Sequence, residues 1–232
     1  MRKLFVVAII IIETLWCNVS MAQDDDAYLT ATAGVPVPKM QWDQVHHQTS
    51  ATFSGGGLNA SLPGTGIVIG NIFHTTGAGK YYCEVTCNYP VETMIGFIGS
   101  TYSAGNLNHF SGTDAVGWAV ELYSSGAIWH NGSSTHSGMT GTYESTGYTY
   151  LFAWDAGAGN MYVGVYYAGA AYWYNYSGGS TSFASASPLN ASAVSGSFTI
   201  AVGFGGGGTE TYVLNSGQSA YVATPPSGYV NW

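Results

Sequence analysis

Residues 212–229, which read YVLNSGQSAYVATPPSGY, carry the clearest structural signal in the chain. The run opens with apolar residues that predict a short strand over 212–214, and Gly217 then marks a turn. Residues 220–223 predict a second extended run. The sequence Pro-Pro-Ser-Gly after it predicts a tight turn, because proline presets the backbone angle and glycine accepts a positive φ. The stretch therefore predicts extended segments separated by glycine and proline turns.

Short extended runs between glycine-rich turns continue through the chain from residue 40 onward. The predicted strands cover 66–73, 80–87, 93–100, 117–123, 127–130, 148–154, 161–167, 198–204, 212–214 and 220–223. Among the 232 residues, 33 Gly supply turns, while 18 Tyr, 7 Trp and 9 Phe supply a large core. No segment of this region has a sustained helical period. The pattern predicts one all-β domain over 40–232, an antiparallel two-sheet β-sandwich.

Four further stretches belong to the same pattern: GKYYCEVT at 79–86, IGFIG at 95–99, VGWAVELYSSGAIWHNG at 116–132 and WDAGAGNMYVGVY at 154–166. With the closing segment they resemble SPRY domains, which end in an apolar strand, N-F-G-Q, an aromatic residue and P-P-x-G-[FY]. The matching positions are Asn215, Gly217, Gln218, Tyr221, Pro225, Pro226, Gly228 and Tyr229, and Ser216 replaces the usual Phe.

The resemblance spans about residues 40–230 and is nearest to the SPRY variants of bacteriophage and bacterial proteins. It implies a jelly-roll-like, concanavalin-like sandwich that binds a ligand and breaks no bonds. Two departures are local. Ala168-Gly169 stands where the usual Asn-Gly hairpin tip would be, and residues 171–192 form an unusual aromatic, Gly/Ser-rich stretch.

The first 22 residues predict a secretory signal peptide. Arg2 and Lys3 are followed by an apolar run over 4–12 and by Ser-Met-Ala at 20–22. The apolar run is shorter than the roughly 20 residues of a membrane span. The alternative is that Met21 is the true start of the protein and that the residues before it are not translated. We therefore expect an exported protein that is secreted or held at a surface, including that of a virion.

Removal of residues 1–22 leaves two basic and eleven acidic residues, a formal charge of −9, because Arg2, Lys3 and Glu13 are lost. Nucleic acid and anionic membranes are unsuitable partners for such a chain. Residues 23–39, with three successive aspartates and a Val-Pro-Val-Pro run, predict an exposed N-terminal arm. Such an arm suits self-association by strand exchange between copies.

Cys83 and Cys87 lie four residues apart in one predicted strand, which separates them by roughly 13 Å. A disulfide needs Cα atoms within about 7 Å, so the two should not pair and are expected to be buried free thiols. The six histidines show no zinc-ligand spacing, and His46 and His47 point opposite ways if extended. No metal or cofactor is expected.

A secreted glycoside hydrolase of the jelly-roll type is the enzymatic alternative, and it would need two carboxylates across a cleft. The acidic candidates are Glu84, Glu92, Glu121, Glu144, Asp155 and Glu210. The close E-x-D-x-x-E pattern of one such group is missing, and no G-x-S-x-G motif marks a nucleophile. Glu84 and Glu121 are also explained as outward-facing strand residues or as hydrogen-bonded turn anchors. No catalytic residue is predicted.

Exposed aromatic residues provide the candidate ligand-binding surface, since Tyr and Trp give rigid contact area and stack on sugar rings. The candidates are Trp129, His130 and Asn131 at one turn, and Tyr172, Trp173, Tyr174 and Tyr176 in one predicted loop. Packing in the core is an equal alternative for the second group, and it is the interpretation for Trp118 and Trp154.

Together these observations predict a non-enzymatic exported module that recognises a surface glycan or a partner protein through loops at the edge of the sandwich, in adhesion or host recognition. A structural subunit of a surface filament, array or virion is the first alternative. The glycoside hydrolase is the second.

Overall fold

A computed structural model of the chain describes residues 38–48, 50–77, 79–88, 92–103, 116–122, 126–137, 145–176, 178–180, 182–204 and 208–232. The predicted signal peptide, most of the predicted arm and Glu144 lie outside these residues.

Sixteen strands are formed by the described part of the chain. They are β1 (Thr52–Ser54), β2 (Asn59–Pro63), β3 (Gly66–Ile69), β4 (His74–Thr75), β5 (Lys80–Cys87), β6 (Thr93–Gly99), β7 (Gly117–Glu121), β8 (Ala127–His130), β9 (Ser133–Ser137), β10 (Thr149–Asp155), β11 (Asn160–Tyr167), β12 (Ala170–Asn175), β13 (Gly178–Ser180), β14 (Ser197–Phe204), β15 (Thr209–Asn215) and β16 (Val230–Asn231). Helical structure among the described residues is limited to short 3-10 turns, such as Phe183–Ser185. No described helix is long and apolar enough to cross a membrane.

Two antiparallel sheets face each other. Sheet A has the strand order β1-β2-β15-β5-β10-β11-β12-β13, and the short β16 pairs with β5 in parallel. Sheet B has the order β3-β14-β6-β7-β8-β9, and β4 pairs with β14. The predicted all-β, two-sheet sandwich is therefore confirmed.

The core lies between the sheets because residues alternate between the two faces of each strand. In β10, Tyr150, Phe152 and Trp154 point inward, and Phe152 meets Phe97 of sheet B edge to face at 5.9 Å. Trp154 is thus a core residue, as predicted, whereas Trp118 is only half-buried and packs against the core from the side.

Both cysteines face the core. Cys83 and Cys87 are buried on β5 and form no disulfide with each other, as predicted. Burial raises the pKa of Cys83, and the Glu84 carboxylate raises it further, so this thiol stays protonated.

Most of the predicted strands are present with bounds that differ by one or two residues, but two strands differ by more and one predicted strand is not formed. The run over 66–73 ends at Ile69, after which the Gly70 backbone bridges to Trp42 outside the strand. The run over 212–214 is part of the longer β15. Residues 220–223 form no strand, because their backbone is held by a side chain, Glu84, instead of a neighbouring strand.

Gly96 allows the closest approach of two strands in sheet B. A Cβ atom at this position would overlap the Trp118 carbonyl oxygen and would lie 2.6 Å from the Ala119 Cα. Both atoms belong to the backbone of β7, so neither can rotate away. The glycine of the IGFIG motif therefore has a packing role in the sheet.

We expect Gly96→Ala to lower the free energy of unfolding by about 1–3 kcal/mol, because the strands must move apart. Denaturant unfolding measures the change. The control is Gly157→Ala, where the nearest atom to an added Cβ is the Asp155 Oδ1 at 3.4 Å. Equal stability of the two variants would contradict the proposed close contact.

His74 is enclosed by aromatic rings at the end of the sandwich. Its imidazole stacks on Tyr81 at 3.4 Å and meets Trp232 edge-on at 5.4 Å. Its Nε2 is buried and has no hydrogen-bond partner among the described residues. Burial lowers the pKa of His74 from 6.5 to about 4, because the charged form loses its hydration.

The unfolded chain therefore takes up a proton on His74 near pH 6.5, while the folded chain takes it up only near pH 4. Stability contributed by the neutral ring is complete above pH 6.5 and is lost as the pH falls to 4. We expect the free energy of unfolding to fall by about 2 kcal/mol over this range. A ring fully shielded from solvent would lose roughly 3 kcal/mol for the same change in pKa. Carboxylates titrate in the same window, so the measurement is the difference in unfolding free energy between the parent and His74→Phe. Parallel pH profiles would refute the assignment.

Candidate binding groove

The first group of predicted site residues lies at the end of the β8–β9 hairpin in sheet B. The Trp129 Nε1 donates to the Glu121 Oε2 at 3.0 Å on the outer face of the sheet. His130 stacks on Trp118 at 4.0 Å, and its Nδ1 lies 2.8 Å from the Gly117 carbonyl oxygen. Asn131 follows at the turn with a φ of +52° and is exposed. Two of the three side chains are thus engaged within sheet B.

The second group was predicted to crowd a loop, but it forms strand β12 in sheet A. Tyr172, Trp173 and Tyr174 alternate across the sheet, because β12 pairs with β11. Tyr174 is fully buried in the core between the sheets, and only 3% of Trp173 is exposed on the opposite face. Tyr176 follows the strand, and its hydroxyl donates to the Pro188 carbonyl oxygen at 3.1 Å. The two groups lie in different sheets and do not form one site.

The outer face of sheet A carries a second apolar layer. Its buried strand residues are Tyr82, Leu151, Ala153 and Trp173, and they are joined by Ala223 from the C-terminal segment. Two segments cover this layer, 183–186 and 221–229. Phe183 makes edge-to-face contacts with Trp173 at 4.7 Å and with Tyr229 at 5.5 Å.

Glu84 attaches the C-terminal segment to sheet A. It is 2% exposed at the centre of β5, and its side chain points to the outer face. The backbone N–H of Val222 donates to its Oε2 at 3.0 Å, and the N–H of Ala223 donates to its Oε1 at 2.9 Å. The Tyr82 hydroxyl donates to the same Oε1 at 2.9 Å. Glu84 is therefore a hydrogen-bonded anchor, one of the two non-catalytic roles considered for it.

Burial keeps the donors around this carboxylate protonated. It raises the pKa of Tyr82, and the charge of Glu84 raises it further. The pKa of Tyr221 is raised by burial and then by Cys83 and Glu84. Tyr221 completes the attachment, since its hydroxyl donates to the Tyr82 carbonyl oxygen at 3.1 Å.

A groove of about 380 Å³ lies between the two covering segments. We call it the outer groove. It is lined by Tyr166, Gly169, Ala171, Trp173, Phe183, Val222, Ala223, Thr224 and Pro226. The strands β11 and β12 supply its floor, where the Trp173 indole lies against Gly164; a Cβ there would be 3.0 Å from the ring. Its position depends on the Glu84 anchor, which holds the wall at Val222 and Ala223.

The described carboxylates do not form a glycosidase pair. Glu84 faces the outer side of sheet A, whereas Glu210 faces the interior and accepts a hydrogen bond from Thr93 at 2.9 Å. Glu121 lies on sheet B, and Asp155 is bridged to Lys80 at 2.8 Å. Glu92 precedes β6 with a φ of +55°. Among the described residues no cluster of three His, Cys, Asp or Glu could hold a metal ion.

We expect Glu84→Gln to reduce the free energy of unfolding by about 2 kcal/mol. The glutamine carbonyl can keep the bonds made to one oxygen, but its amide group must then face the N–H of Val222, donor against donor. Unfolding by denaturant gives the stability, and hydrogen exchange should show faster exchange at Val222 and Ala223. Glu121→Gln is the matched control, because a glutamine carbonyl can still accept from Trp129. A parent-like exchange rate at both amides would contradict the anchor role.

Sequence comparison finds no family model that matches the chain and no curated protein similar to it. Solved structures similar in fold include the TRIM65 PSpry domain, at 14% identity and a TM-score of 0.53, covering 79% of this chain and 99% of that one. The SPRY domain of human HERC1 has 16% identity and a TM-score of 0.51, with 77% and 99% covered.

Stonustoxin is also similar, with 15% identity and a TM-score of 0.50 over 77% of this chain. The aligned part spans 27% of the stonustoxin chain. Likeness at these identities concerns the fold. The two-sheet sandwich of this chain, closed by its Pro-Pro-x-Gly segment, has the fold of SPRY domains.

Proposed function

We propose that the chain is a non-catalytic binding module whose ligand occupies the outer groove. The observation that carries the proposal is an aromatic groove with a fixed wall. Tyr166, Trp173 and Phe183 line it, and Glu84 holds its C-terminal side by two backbone hydrogen bonds. A preformed groove loses little entropy on binding, and its volume lies in the range of ligand sites. A binding role also agrees with what the SPRY resemblance implies.

An uncharged segment of a partner protein is the ligand that this groove suits best. Its lining, all of it among the described residues, contains no acidic or basic side chain. Val222 is 52% exposed at the wall and offers apolar contact. A sugar needs several hydrogen-bonding side chains, and the lining supplies the hydroxyls of Tyr166 and Thr224 and the indole N–H of Trp173, which is 3% exposed. A glycan is therefore the second candidate for the ligand class.

Export is part of the proposal and is supported by the signal-like residues 1–22. Outside the cell, a module with few charges would recognise a surface or host protein, as in adhesion. The Trp129–Asn131 turn on sheet B is a separate surface that the same partner could contact.

The test is selection of a random peptide display library against the full chain, with a glycan array in parallel. We expect apolar peptides to be selected, and Val222→Asp to weaken their binding at least tenfold by placing a charge in the groove. Val45→Asp is the control, since Val45 is 79% exposed and does not line the groove. Trp173→Ala is unsuitable, because removal of a buried indole would cost about 3–5 kcal/mol of stability.

Selected peptides that bind the parent and Val45→Asp alike, but not Val222→Asp, would support the proposal. Binding of glycans alone would overturn the choice of ligand class. Peptide binding that Val222→Asp leaves unchanged, or binding of neither probe, would overturn the groove as the site.

A further inference from the structure

The described chain begins next to the segment that forms the groove wall. Met40 is buried, and its carbonyl oxygen accepts from the Gln218 Nε2 at 2.9 Å and from the Ser216 Oγ at 3.2 Å. The Lys39 ammonium donates to the Gly217 carbonyl oxygen. The residues that precede Pro38 in the sequence therefore join the described chain beside residues 216–218, and residue 218 is four positions before the groove-lining Val222.

The outer groove is within reach of these preceding residues. β15, which ends beside the exit point, is separated from β12 by β5, β10 and β11. Four strand spacings of about 4.8 Å make roughly 19 Å across the sheet. Residues 30–37 span about 25 Å in the polyproline II conformation, at roughly 3.1 Å per residue. The segment is thus long enough for this distance, and its path runs over residues 221–229, which cover the sheet between β15 and the groove.

The chemistry of this segment matches the groove. Residues 30–37 read TATAGVPV and carry no charge, whereas the aspartates of the arm lie further away at 24–26. With Pro38 they form a Val-Pro-Val-Pro run, and proline holds its own backbone near the polyproline II angle. Aromatic-lined grooves bind such preformed segments at low entropic cost. The groove offers Tyr166 and Phe183 for this purpose, above a floor that contains the buried Trp173, and its described lining has no charged side chain.

We propose that residues 30–37 dock in the outer groove of their own chain and compete there with the external ligand. The inference rests on the proposed function in one respect, that the groove is a binding surface. Docking within one chain is favoured over docking in a second copy, because a short tether gives an effective concentration in the millimolar range. The docked arm then sets a minimum affinity for external ligands, since only a ligand that displaces the arm can bind.

A photo-cross-linking experiment on the full chain tests where the arm lies. Val35 is replaced by p-benzoylphenylalanine, and equal amounts of chain with natural and heavy nitrogen are mixed before irradiation. We expect cross-links within one isotopic form to peptides that contain residues 166–173 or 222–226. The same photoreactive residue at Val45 is the control for non-specific reaction. Cross-links between a natural and a heavy chain at the groove would show that the arm docks on a second copy, and this would contradict docking within one chain. Cross-links elsewhere, or none above the control, would overturn it.

A competition measurement is independent of the cross-linking chemistry. The probe is a fluorescent synthetic peptide with the sequence of residues 30–38. We expect the variant V35D/V37D, which removes the apolar anchors of the arm, to bind this peptide at least tenfold more tightly than the parent. V45D should bind the peptide with the affinity of the parent. V222D added to V35D/V37D should abolish the increase in affinity.

Equal binding by the parent and V35D/V37D would overturn the docking of the arm. That result leaves the proposed function to be judged by the peptide library, which uses different ligands. The opposite combination is tighter binding of the 30–38 peptide by V35D/V37D with no peptide selected from the library. It would establish the arm as a ligand of the groove and would contradict the proposal of an external partner.

Discussion

The hydrogen bonds between the Glu84 carboxylate and the amides of Val222 and Ala223 are the contact on which the outer side of sheet A depends. A charged group that is 2% exposed is tolerated because three donors surround its two oxygens. The backbone it binds makes no strand pairing of its own at those two residues. The Glu84 side chain therefore accepts the backbone hydrogen bonds of the C-terminal segment that a neighbouring strand would accept elsewhere in the sheet.

This attachment changes the sandwich from two layers to nearly three on one side. The outer face of an antiparallel sheet is commonly solvated, and alternation then gives polar residues outside. Here Leu151, Ala153 and Trp173 are apolar on that face because residues 183–186 and 221–229 cover them. The cover is incomplete where the two segments diverge, and the outer groove is the gap between them. The packing of the outer face and the groove thus have a common origin.

Much of the fold could be predicted because local patterns decide it. The strand over 80–87 is present as predicted, and the alternation predicted over 117–123 is observed in the strand Gly117–Glu121. Residues 220–223 have the composition of a strand, but a strand also needs a partner strand, and here the Glu84 side chain binds the backbone instead. β12 was mistaken for a loop because the Gly/Ser-rich residues after it dominate the local composition. Trp173 was a site candidate from sequence and does line the groove; its partners at 166, 183 and 222–226 could not be found, because they meet only in three dimensions.

Low charge limits how such a domain can choose a partner. Only 7% of residues are charged, and the two described lysines are both engaged, Lys39 with the Gly217 carbonyl and Lys80 with Asp155. Electrostatic steering works through arrays of unpaired charge, so it contributes little around this neutral groove. Selectivity must then come from shape, from apolar contact and from the cost of leaving polar groups unpaired. These forces act over short range and at full contact. Under the proposed function, these forces favour an uncharged segment that fits the groove, and residues 30–37 of the same chain are uncharged.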